Sequence, residues 1–208
     1  MKKKYKLLLL MLIICIVLII GLLVVKNIGK DVPKNNVKVV DSIVDFSYTL
    51  DERDTSLMKN TYKNLKKILN NKDINYEDYS KEVAKLFIID LFTMDNKINK
   101  YDVGSLEYVY PDNIDNFKLN VEDTLYKLIQ DNTYGKRIQD LPIVSSIEVV
   151  DVHEDTFKLS EEDVSSFVVT LKWNYEKDLG YDKEGTVTLI KSDRKVYVVE
   201  YKAGETNE

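Results

Sequence analysis

Few side chains in this sequence have types and spacing suited to chemistry. Asp90 interrupts the most apolar stretch outside the N-terminal segment, Leu86 to Phe92. Burial there would push a carboxyl toward neutrality and fit it to act as a general base. The same position suits a carboxylate that reaches the helix rim, caps a neighbouring element or pairs with a lysine such as Lys97. His153, the single histidine, stands beside Asp151, Glu154 and Asp155, and a carboxylate can orient an imidazole as a base. A solvated histidine at a strand end is the plainer reading of those residues. Asp90 and His153 are the weak catalytic candidates, and an enzyme is the less favoured class.

Nucleophile-elbow, phosphate-loop and H-E-x-x-H patterns are absent from the chain. The only cysteine is Cys15, so the rest of the chain has no thiol nucleophile, disulfide or cysteine metal site. The Asp/Asn spacing after Asp95 faintly suggests a calcium loop, but Lys100 replaces the required glycine and Leu106 the bidentate glutamate. No metal or cofactor is expected. Tyr108, Tyr110, Tyr175 and Tyr181 are candidates for lining a cavity or a partner groove, because aromatic rings bury area at small entropic cost. Core and rim packing accounts for them equally well.

These residues need elements to position them. Val40, Val44, Phe46, Tyr48 and Leu50 alternate with mostly polar positions and predict an edge strand. Met58, Thr61, Tyr62, Leu65, Ile68 and Leu69 predict a first helix, capped by Asp51 or Asp54. The run from Asn75 to Met94 predicts a central buried helix carrying Asp90. A third helix is expected after Pro111, with Ile114, Phe117, Val121, Thr124, Leu125 and Leu128 inward and Gly135 as its stop. Everything after Pro142 reads as sheet: a strand from Ile143 to His153, a charged loop or long hairpin connection from Glu154 to Asp163, an amphipathic strand from Phe167 to Tyr175 with Trp173 in the core, and a terminal hairpin around Lys191 to Lys195. Segregated helices and antiparallel strands make the fold class α+β, with about three helices on a curved antiparallel sheet.

Leu7 to Val25 holds no charge and no strongly polar side chain. As a helix it spans roughly 28 Å, close to the hydrocarbon thickness of a bilayer. The expected organisation is a basic tail at 1–6, a transmembrane helix at 7–25, a linker at 26–38 and an extracytoplasmic domain at 39–208. Lys2, Lys3, Lys4 and Lys6 crowd the N-terminal flank, which predicts a cytoplasmic N-terminus and a domain outside the cell membrane. A cleaved signal peptide shares the basic-then-apolar opening, but Val24-Val25-Lys26-Asn27 offers no small-residue exit. Gly21 is the stretch's one small residue, so helix pairing through the anchor has little support and the oligomeric state stays open.

All six charged residues among the first 30 are lysines, which leaves 24 basic and 35 acidic side chains from residue 31 onward. That acidic surface disfavours direct nucleic-acid binding. The prevalence of lysine over arginine, with abundant Asn, Ile and Tyr, fits an AT-rich bacterial source. An N-terminal membrane helix followed by helices and then a run of strands, about residues 50 to 201, resembles the NTF2-like and cystatin-like cone folds. It resembles specifically the extracytoplasmic domains of VirB8-like and TcpC-like conjugation components. The likeness is one of architecture, and no functional residue is carried over from it. It implies a single-pass membrane protein whose outer domain binds or scaffolds other envelope proteins, in an envelope, secretion or conjugation assembly. The alternative is a small-molecule binding protein or enzyme using the cavity between sheet and helices.

Overall fold

The computed structural model describes residues 37–204, in which helices precede the main sheet along the chain. The expected edge strand from Val40 to Leu50 is instead a tight antiparallel hairpin of β1 (Val39–Ile43) and β2 (Tyr48–Asp51). A 3-10 turn at Val44–Phe46 and a left-handed Ser47, φ 54°, reverse the chain. The reversal puts Ile43, Phe46, Tyr48 and Leu50 in the core and leaves Val44 79% exposed. Local alternation cannot separate one strand from two short ones; burial of Phe46 and Tyr48 decides it.

Helix α1 (Ser56–Leu69) buries Met58, Thr61, Tyr62, Leu65 and Leu69, the expected face. Its cap is Thr55, whose hydroxyl accepts the Met58 N–H at 3.2 Å. Asp51 and Asp54 instead organise the preceding turn: the Asp54 carboxylate accepts the Asp51 N–H at 2.6 Å. Thr55→Ala should cost about 1 kcal/mol, as lost N-caps do, and a denaturant midpoint measures it. Helix α2 (Tyr76–Phe92) starts at Asn75, whose side chain accepts the N–H groups of Glu77 and Asp78. It is buried nearly all round, with Tyr79, Val83, Leu86, Phe87, Ile89 and Leu91 almost free of solvent.

Helix α3 (Ile114–Asp123) is shorter than its apolar spacing predicts. Tyr126 leaves the helical path to bury its ring fully and donates its hydroxyl to the Leu91 carbonyl at 2.8 Å. Leu128 is therefore exposed, and Gly135 sits at φ 65° beyond the helix rather than at its end. A tertiary contact overrides the local pattern.

Strands β3 (Val144–Leu159), β4 (Glu162–Tyr175), β5 (Glu184–Ser192) and β6 (Lys195–Ala203) form an antiparallel sheet in sequence order. Two register shifts in the β3–β4 ladder accompany its curvature. On β4, Val169, Leu171, Trp173 and Tyr175 face inward as their alternation predicts, and the Phe92 and Trp173 rings lie 5.2 Å apart. Of the loop or long hairpin connection expected from Glu154 to Asp163, the structure has the hairpin: β3 and β4 pair continuously out to Leu159 and Glu162. β5 opposes β4 only from Ser166 to Lys172, so the distal β3–β4 hairpin projects as a two-stranded arm. The fold is thus α+β, with three helices and a curved antiparallel sheet.

Among the described residues no helix is long and apolar enough to cross a membrane. The expected basic tail, the transmembrane helix at 7–25 and nearly all of the linker lie outside them.

Candidate functional site

Asp90 lies in the last turn of α2, where the chain enters a connection that must return to the sheet. Its Oδ1 accepts from Lys97 Nζ at 2.5 Å, and its Oδ2 accepts the Ser105 N–H. Ser105, at φ 66°, also donates its hydroxyl to the Phe87 carbonyl at 2.7 Å. Gly104 is required here, since a Cβ would come within 2.7 Å of the Asp90 carbonyl oxygen. Burial works against the Lys97 charge, but Asp90 outweighs it and holds the ammonium above its ordinary range. The Asp90 carboxylate is thus committed to an ammonium and a backbone amide, an arrangement that clasps α2 to residues 97–105 and does not suit a free base.

Two of the three arginines fasten the same connection. Arg53 donates to the Asp102 carboxylate at 2.6 Å and to the Asn96 carbonyl at 3.1 Å. Arg137 donates to the carbonyls of Lys97 and Asp95 at 2.8 and 2.5 Å. Burial works against the Asp102 charge, but Arg53 and the Ile98 N–H outweigh it and hold the carboxyl below its usual range.

Arg53, Asp90, Lys97 and Asp102 line an open cleft of about 260 Å³ together with Asp54 and Glu107. Glu107 accepts the N–H and hydroxyl of Thr49, at 3.0 and 2.8 Å, and so ties the 3-10 turn Leu106–Tyr108 to β2. Burial pushes its carboxyl up to about 7, against the hydrogen bonds from Thr49. Burial likewise raises Asp54 to about 6. Asp54 and Glu107 are therefore two carboxyls of this cleft that can exchange a proton near neutrality. In the sequence Asp54 stands out only as a helix-cap candidate and Glu107 not at all, because nothing local distinguishes their carboxyls from other surface acids.

His153 lies on exposed β3 with Nδ1 2.8 Å from Asp151 Oδ2, far from any enclosed site. The four tyrosines do not converge. Tyr108 is fully buried and stacks on Tyr48 at 5.4 Å. Tyr110 meets Tyr197 edge-on at 5.9 Å, and its N–H donates to the Val198 carbonyl of β6. Tyr175 and Tyr181 do come together, at 6.3 Å, but the Tyr175 hydroxyl is taken by Trp173 and the Asp182 carbonyl. Tyr110 lines an open cleft of about 520 Å³ between the arm tip and residues 110–113. A smaller cleft of about 200 Å³ lies between α3 and β6, lined by Phe87, Phe117 and Tyr201. Among the described residues no cluster of three or more His, Cys, Asp or Glu side chains suits a metal ion. Comparison with protein-family models, with curated proteins and with solved structures found no match to this chain.

Proposed function

We propose that this is a single-pass membrane protein whose outer NTF2-like domain binds or scaffolds other envelope proteins, as in a secretion or conjugation assembly. The observation that carries the binding role is β3, a 16-residue strand at the sheet edge that runs out into a projecting arm. Such an edge presents unpaired backbone groups, the usual template for adding a strand from another chain. The apolar stretch Leu7 to Val25 and its lysine-rich flank support the anchor and its orientation.

Two measurements test this reading. Cys15 is the chain's only thiol, and Ser145 is exposed on β3. In intact cells, Ser145→Cys should therefore react with a membrane-impermeant maleimide, with the parent chain as control. Reaction only after lysis would put the domain inside. A photoreactive residue at Val150, which is 52% exposed, should in the full chain give a discrete adduct with another polypeptide. Absence of any adduct would remove the binding role.

A cavity-based enzyme or binding protein is the second reading, and the raised carboxyls of Asp54 and Glu107 are what favour it. Their cleft of about 260 Å³ falls below the roughly 300–1,000 Å³ of ordinary small-molecule sites. The space between α2 and the sheet is filled by Phe87, Phe92, Trp173 and Tyr201.

A further inference from the structure

The edge strand β3 pairs with β4 alone. Glu148, Asp151, Glu154 and Asp155 are all exposed along it, and three more acids follow at the arm's turn, Glu161, Glu162 and Asp163. The opposing cations are Lys158 and, when protonated, His153, which already faces Asp151. Apolar footholds interrupt the acids: Val150 is exposed at a register shift, and Val152 and Phe157 are half-buried. The edge thus combines open backbone, one sign of charge and spaced apolar side chains.

We propose that the outer edge of β3, from Glu148 to Leu159, accepts an extended segment of a partner protein that alternates Lys or Arg with apolar residues, added as a further strand of the sheet. The inference rests on the protein-binding reading above and names the chemistry of the partner. Backbone hydrogen bonds would supply affinity independent of sequence, and side chains would choose the partner. Opposite charges facing each other across strands contribute roughly 0.2–1 kcal/mol per pair, and like charges oppose pairing.

The same rule weighs against a second copy of this chain, since most of the charges it would bring to the edge are acids too. Antiparallel self-pairing centred between Asp151 and Val152 sets Glu148 against Asp155, acid on acid. Charges that guard an edge from its own kind admit a strand of the opposite sign, so protection and selection come from the same residues.

The test uses the full chain in detergent micelles and two ten-residue probe peptides, one alternating Lys with Val and one alternating Glu with Val. The lysine peptide is expected to bind at least tenfold more tightly by anisotropy, to weaken as salt rises, and to slow amide exchange along β3. Replacing Asp151, Glu154 and Asp155 together by Lys should invert the preference. A control of equal charge change, Asp45, Glu52 and Asp73 to Lys on other exposed positions, should leave the preference intact. Equal binding of both peptides, equal loss in both triple variants, or a concentration-dependent dimer that protects β3 in place of the peptide would overturn the inference. Adducts at Val150 in cells alongside equal binding of the two peptides would retain protein binding and discard the basic partner.

Discussion

Lys97→Met should destabilise the domain by about 3–5 kcal/mol, the range for removing one partner of a buried ion pair. Lys97 is 5% exposed and its ammonium lies 2.5 Å from Asp90. Its removal leaves a carboxylate at the end of the central helix with the Ser105 N–H as its remaining close donor. The sign with pH follows from the raised Lys97 value. The contribution of the Lys97 charge is fully present below 10.5, the ordinary lysine value, and is lost as pH climbs through the higher folded value. Denaturant midpoints at pH 7 would read the loss. Asp90→Asn should be comparably harmful, because it strands the buried ammonium. The double variant Lys97→Met with Asp90→Leu should recover much of the deficit, since an apolar pair of similar volume often replaces a buried ion pair without loss. A mild effect of Lys97→Met would mean that the Lys97–Asp90 pair does not hold α2 to residues 97–105.

Glu107→Gln should act in the opposite direction, stabilising the domain above neutrality by about 2 kcal/mol. In the unfolded chain a glutamate loses its proton near 4.5, whereas burial holds it on Glu107 up to about 7. Between those values the folded state binds more protons, so stability supplied by this group falls as pH rises from 4.5 to 7. Glutamine, always neutral, escapes that loss while its carbonyl can still accept from Thr49. Asp90 adds to the upward push on Glu107. Lys195, packed over the Tyr48 ring at 4.3 Å and lowered by burial, draws some support from the Glu107 charge; losing that support offsets part of the gain. The difference between variant and parent should be small at pH 4.5 and grow through pH 7. A pH-independent difference would mean that Glu107 ionises as an ordinary surface acid.

The Lys97 clasp and the Glu107 tie act on the same piece of chain, residues 93–108, which crosses between α2 and β2. Charged side chains hold it from both sides, Arg53 from the β2–α1 turn and Arg137 from the segment after α3. Met94, Val103 and Tyr108 bury this connection against the core, and the paired charges fix the polar stretches between them. Any ligand entering the cleft must compete with those pairs, which is why the cleft ranks behind the β3 edge as the functional surface.

Three elements follow from their own residues. The stripe from Met58 to Leu69, the all-round apolar surface of α2 and the alternation from Phe167 to Tyr175 each carry a period that only one kind of element can bury. The lysine-flanked run Leu7 to Val25 likewise rests on sequence alone. Tertiary structure decided what periodicity leaves degenerate. It turned Val40 to Leu50 into a hairpin, ended α3 so that Tyr126 could reach Leu91, and carried the charged segment after His153 out as paired strand. Backbone pairing is satisfied by the partner strand whatever the side-chain polarity, so a polar ladder and a polar loop look alike in sequence. The acids divide in the same way. Pairing with Lys97 is one of the readings that the place of Asp90 in α2 allows, and the structure has it; nothing in the sequence marks the carboxyls of Glu107 and Asp54, which burial raises to about 7 and about 6. A carboxyl's proton affinity depends on the charges and solvent brought to it from distant parts of the chain, and only the folded structure sets those distances.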